Sequence, residues 1–140
     1  MPRLVIGALL LCLCVAGCSS LQEPRLIGTW QSDKDATLEI LTAYRDLSKL
    51  KPEQRTFLEN IFGKLLLTYD KRTVHAKFDT LEVTYNYQVV ARNEICAVIE
   101  SADLLREGQT SFEIVRFEGD DRIVVLLQDF NFPEVFRRVK

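Results

Sequence analysis

Few side chains in this sequence combine the type and spacing that chemistry requires. His75 is the only histidine. It shares a strand face with Thr73 and Lys77, the setting of a solvated surface histidine rather than of a general base. Ser32, Ser48, Ser101 and Ser111 have no histidine at a partner position, and there is no Gly-rich phosphate loop. Glu118, Asp120 and Asp121 surround Gly119 and offer oxygens to a cation. Their spacing is not that of a calcium loop, and a polar hairpin turn accounts for them. A metal site of the usual kind needs more imidazole or thiolate than the chain carries. The sequence therefore points away from an enzyme and implies no metal and no cofactor. Of the four cysteines, Cys12, Cys14 and Cys18 stand near the start and Cys96 is alone in an apolar stretch, where it reads as a small core residue.

The start of the chain gives Cys18 a chemistry of its own. Met1-Pro2-Arg3 is a short basic lead, and Leu4 to Val15 is an apolar run of twelve residues, where a spanning helix needs about 20. Ala16 and Gly17 follow, then the cysteine. Val15-Ala16-Gly17-Cys18 resembles the lipobox of bacterial lipoproteins. That resemblance implies a signal peptide over residues 1–17, cleavage before Cys18, and acylation of its thiol (the label is palmitate) and of the new amine. Several acyl chains anchor firmly where one holds marginally, at about 0.8 kcal/mol per buried methylene. Ser19 is not the aspartate that resembles an inner-membrane retention signal, so the resemblance implies an outer-membrane protein anchored on the periplasmic face.

Without residues 1–17 the chain has 123 residues, with 17 Lys and Arg against 20 Asp and Glu, a net charge of −3. That is one domain's worth of chain. The balance argues against a nucleic-acid partner, which requires a basic face. With Cys18 acylated, Cys96 has no partner, which excludes a disulfide framework.

The elements divide at Gly63. Residues 18–25 form an acylated start and polar tether, and residues 26–140 the folded domain. Leu26–Gln31 predicts a first strand, and Ser32-Asp33-Lys34-Asp35 signals a helix start. Helical spacing runs through Leu38, Leu41, Tyr44 and Leu47. Pro52 suits a first helical position, and Phe57, Leu58, Ile61 and Phe62 share one face before Gly63. Beyond it the period changes to two. Strands are predicted at Leu65–Tyr69, at Val74–Phe78, at Leu81–Val89 with Leu81, Val83, Tyr85, Tyr87 and Val89 on one face, and then at Glu94–Glu100, Ser111–Phe117, Arg122–Leu127 and Val135–Val139. Short turns between neighbours imply antiparallel pairing. The fold class is mainly β with a helix pair (α+β), an antiparallel up-and-down meander or small closed barrel with two helices inserted after strand 1.

Gly28-Thr29-Trp30 resembles the Gly-x-Trp signature of the lipocalins and their calycin relatives. The resemblance implies that Trp30 closes one end of a barrel with Arg137 or Arg138 across its ring. The helix pair after the first strand is similar to that of fatty-acid-binding proteins, where it lids the mouth. Those proteins carry an Arg-x-Tyr carboxylate clamp on the last strand, where this chain has Glu134 and Phe136, so the clamp does not carry over.

An interior ligand site would draw on Val83, Tyr85, Tyr87 and Val89, with Phe78, Phe112 and Ile114 from neighbouring strands. The hydroxyls of Tyr85 and Tyr87 would orient the ligand, and Phe57, Ile61 and Phe62 would close the mouth. No charge alternates with this set, which favours a neutral or acyl-bearing ligand. The opposing reading is that these aromatics fill an eight-stranded interior, leaving an envelope interaction protein that works through its surface as an inhibitor or assembly accessory. Two further surface features bear on partners. Lys49, Lys51, Arg55, Lys64, Lys71 and Arg72 make the helix-to-strand region basic, and Phe130-Asn131-Phe132-Pro133 is an aromatic loop suited to capping the core.

Overall fold

The computed structural model describes residues 21–103, 106–127 and 132–140. A short 3-10 turn, Pro24–Leu26, leads into β1 (Gly28–Ser32). Helices α1 (Lys34–Tyr44) and α2 (Pro52–Ile61) follow, joined through a 3-10 turn at Leu47–Lys49. The strands are β2 (Leu65–Tyr69), β3 (Thr73–Phe78), β4 (Leu81–Arg92), β5 (Cys96–Ala102), β6 (Thr110–Phe117), β7 (Arg122–Leu127) and β8 (Pro133–Arg138). All eight pair antiparallel with their sequence neighbours, and β8 returns to β1, closing a barrel. Of the two architectures expected, the closed barrel forms, and its order of elements is consistent with a lipocalin-like one.

The barrel has two unlike ends. At the end where β2 turns into β3, Trp30 is buried, its indole N–H donating to Leu26 O at 2.8 Å. The Arg138 guanidinium lies 4.2 Å from the centre of its ring, and donates to Asp120 O, Ile27 O and Arg25 O at 2.8–2.9 Å. Of the two arginines expected there, Arg138 takes the place. Arg137 faces outward and is ion-paired with Asp33. Tyr69, Val74, Tyr87, Val115, Ile123 and Phe136 pack with Trp30 in one core that forms the floor of the barrel.

Residues 21–25, expected to be a tether, lie against this floor. Leu21 bridges to Val89, and Glu23 is buried and bonded to Arg25, with Arg92 4.0 Å away. The Arg25 partner holds the Glu23 carboxyl below its ordinary range.

Helix α1 starts where Asp33 accepts from Ala36 N. It packs on the outside of the barrel, where Ala36 and Ile40 meet Val124 and Val135. Buried Thr37 accepts from Val135 N through its hydroxyl at 2.9 Å, satisfying a β8 donor that has no strand beside it there. Helix α1 therefore flanks β7 and β8 from outside. α2 has no buried residue, and Phe57 is 63% exposed. Only Phe62, just past its end, is buried, edge-on to Phe132 at 5.6 Å.

The basic residues do not form one face. Lys64 precedes β2 at the mouth and pairs with Asp79, whereas Lys71 and Arg72 lie in the β2–β3 turn at the opposite end. Lys49 and Arg55 are paired with Asp46 and Glu59. Around Gly119, Glu118 is bonded to Arg116 and Arg122 rather than gathered with Asp120 and Asp121.

Candidate functional site

The inner face is set by register. Tyr69, Val74 and Tyr85 lie side by side across β2, β3 and β4, in register with Gly28 of β1. Leu67, Ala76 and Val83 form the next row, and Leu65, Phe78 and Leu81 the rim. On β5 and β6, Ile99 faces Glu113 and Ala97 faces Val115. Val115 pairs with Val125, another floor residue. The inner face of β6 is therefore Ser111, Glu113, Val115 and Phe117.

This corrects the expectation for β6. Phe112 and Ile114 point outward and are 38% and 45% exposed. Ile114 lies beside Ile40, Tyr44, Val124 and Leu126, under the flank of α1. The cause is the position of that helix. Because α1 covers the outside of β7 and β8, the wall there needs apolar residues on both faces, and alternation no longer tells inside from outside.

Of the other residues expected in the site, Val83, Tyr85, Tyr87, Val89 and Phe78 do share the inner face with β3's Val74 and Ala76. Val89 and Tyr87 belong to the packed core, and the Tyr87 hydroxyl donates to Asp70 O at 2.6 Å. Tyr85 and Phe78 are half-buried, and Val83 is 39% exposed at the rim. Phe57 is not with them, and Ile61 is half-buried at the end of α2. Phe57 lines an apolar groove of about 410 Å³ between the helices with Leu41, Leu47, Leu50, Leu58 and Phe132. Of the aromatic loop, Phe132 joins that groove, while Phe130 and Asn131 lie outside the described residues.

The interior accordingly divides in two. Below the Tyr69–Val74 level it is packed. Tyr85, at that level, and Ala76, Phe78, Val83, Ser111 and Glu113 all retain solvent-accessible surface although they point inward. The wall is also notched on one side. β4 pairs with β5 only from Tyr87–Ser101 onward, so Leu81–Tyr85 have β3 as their sole described strand neighbour.

Three polar groups, the Tyr69 and Tyr85 hydroxyls and the Glu113 carboxyl, interact electrostatically here. The Tyr69 hydroxyl is buried, its residue 2% exposed, with no hydrogen-bond partner. Its ring stands edge-on to Tyr87 at 5.4 Å. The Glu113 carboxyl is pushed up to about 7 by burial, and burial, with a smaller contribution from the Glu113 charge, raises the phenols of Tyr69 and Tyr85 above their ordinary range. No described residue donates a hydrogen bond to Glu113 or to the Tyr85 hydroxyl. A second inward carboxyl, Glu134 on β8, is raised by burial but accepts from Ser32 Oγ at 2.6 Å. Ser32 in turn accepts from Gly63 N.

Sequence reasoning placed Tyr85 here, and missed Tyr69 and Glu113. An apolar cup with a carboxyl and unpartnered phenols can bind an amphiphile and orient its head. Among the described residues it holds no nucleophile–base pair of the kind acyl or phosphoryl transfer requires. No family model matches the chain, and no curated protein matches it.

Proposed function

We propose that this chain is a lipid-anchored envelope protein whose lipocalin-like barrel holds a small apolar or acyl-bearing ligand. In this reading Cys18 carries the acyl chains, and the mature protein sits on the periplasmic face of the outer membrane. The Gly28–Trp30–Arg138 arrangement at the floor supports the lipocalin likeness. The observation that carries the binding function is the contrast within the lumen: a packed floor beneath inward side chains that water reaches, with unpartnered phenols between them. Buried polar groups of this kind call for partners, and binding sites are apolar hollows with a few placed polar groups.

Native mass spectrometry of protein taken from its own membrane tests the reading directly, and should show a co-purifying amphiphile. Titration of delipidated protein with an environment-sensitive hydrophobic probe should saturate. Tyr85→Trp, which adds bulk to the open half, should weaken that binding by about tenfold or more, roughly 1.4 kcal/mol, while the fold persists. Absence of any binding at micromolar protein would leave a filled barrel that acts through its surface. The groove around Phe57 favours that second reading, in which an envelope partner docks against the helix pair. Phe57→Asp would then abolish partner capture without touching the lumen.

A further inference from the structure

We infer that the upper lumen takes the ammonium head of a cationic amphiphile, with Glu113 as its counter-ion and Tyr69, Tyr85 and Tyr87 as the aromatic base beneath it. The inference rests on the ligand-binding reading above and narrows it to one chemical class.

Charge on the inner face is one-sided. Between the mouth and Trp30 it offers two carboxyls, Glu113 and Glu134, and among the described residues no lysine or arginine. Arg138 lies beneath Trp30, on the far side of the floor. The two carboxyls are not equivalent. Glu134 is already held by the Ser32 hydroxyl, whereas Glu113 has no described donor. A carboxylate largely withdrawn from water without a donor or counter-charge is costly, and a ligand cation offsets that cost.

The phenol rings supply the rest. Tyr69 and Tyr87 meet edge to face, and Tyr85 shares the Tyr69 row. Ring faces attract ammonium groups, and aromatic cages beside a carboxylate are a physical solution for quaternary ammonium. The hidden Tyr69 hydroxyl, without a partner of its own, is an independent sign that this corner is built around a polar head.

The groups facing Glu113 are few enough to state the expected pH response. From β2 there is Tyr69, from β4 Tyr85 and Tyr87, and from β8 Glu134. At the rim, Lys64 is paired with Asp79, and Asp103 with Arg106. The inward residues of β3, β5 and β7, such as Ala76, Ile99 and Val125, do not ionise. His75 is outside, against Thr84 and Glu82.

The Glu113 carboxyl sits near 7, and a fixed cation binds its ionised form. The ionised fraction rises from about a tenth at pH 6 to about nine tenths at pH 8, so apparent affinity should rise about tenfold over that interval.

Three decyl probes below their micelle concentrations separate the possibilities by calorimetry on delipidated full-length mature protein: decyltrimethylammonium, decanol and decanoate. The ammonium should bind tightest at pH 8, by about tenfold over the alcohol, and should weaken about tenfold by pH 6. Glu113→Gln should remove both the preference and the pH dependence while decanol binding survives. The head series and pH profile of the unaltered protein carry the test without that variant. Equal affinity for all three heads, a preference for decanoate, or ammonium binding that ignores pH would overturn the inference while leaving the barrel a ligand binder. No binding by any probe would overturn both.

Discussion

Gly28 has φ +129°, and a methyl placed on it would stand 2.7 Å from Arg138 Nη1. The residue thus serves two needs: a backbone angle few side chains tolerate, and room for the guanidinium that covers Trp30. Gly28→Ala should cost about 1–3 kcal/mol from the backbone alone. It should also displace Arg138, which a red shift of Trp30 fluorescence and a lower unfolding midpoint would report. Glu113 is opposite in kind, since its position destabilises the native state at neutral pH. Native Glu113 holds its proton to about 7 against an ordinary 4.5, so the folded form binds more protons between those values. Its penalty is absent below about 4.5 and grows as pH rises through about 7. Glu113→Gln should therefore stabilise by about 2–3 kcal/mol at pH 8 and by little at pH 4. Denaturant melts at the two pH values would show it, and equal gains at both would remove Glu113 from the lumen.

Among the elements, legibility followed how many faces each strand buries. β2, β3 and β4 have one face inward and one to solvent, and their alternation assigned Val74, Ala76, Tyr85 and Tyr87 correctly. β7 reads Ile123-Val124-Val125-Leu126 without a polar break, the mark of a wall covered on both sides. That run was the available sign that a helix lies outside, and hence that Phe112 and Ile114 need not face in. Tyr69 was legible as a strand end but not as a site residue, because burial without a partner is a property of packing. The same logic separates two phenylalanines on one helix pattern. Phe62→Ala, which removes a buried ring set against Phe132, should cost about 3–5 kcal/mol. Phe57→Ala should change stability by less than about 0.5 kcal/mol. Thermal unfolding of the pair distinguishes a flanking helix from a lid, since a lid would make Phe57 the costlier loss.

For the whole molecule, the anchor is the first thing to test. Palmitate labelling should mark the protein, and Cys18→Ala should abolish both the label and cleavage before residue 18; a cleaved but unlabelled native protein would refute acylation. The docking of Leu21 and Glu23 on the closed floor then acquires a meaning at the scale of the cell envelope. Cys18 is three residues from Leu21, at most about 10 Å of extended chain. An acylated Cys18 would seat the barrel base-down on its bilayer, with the rim of Phe78 and Leu81 turned away. The vessel could not drink from the leaflet it stands on. Its traffic would run through the aqueous gap or to a facing surface, and its loading rate would follow the concentration of free monomeric amphiphile in that gap.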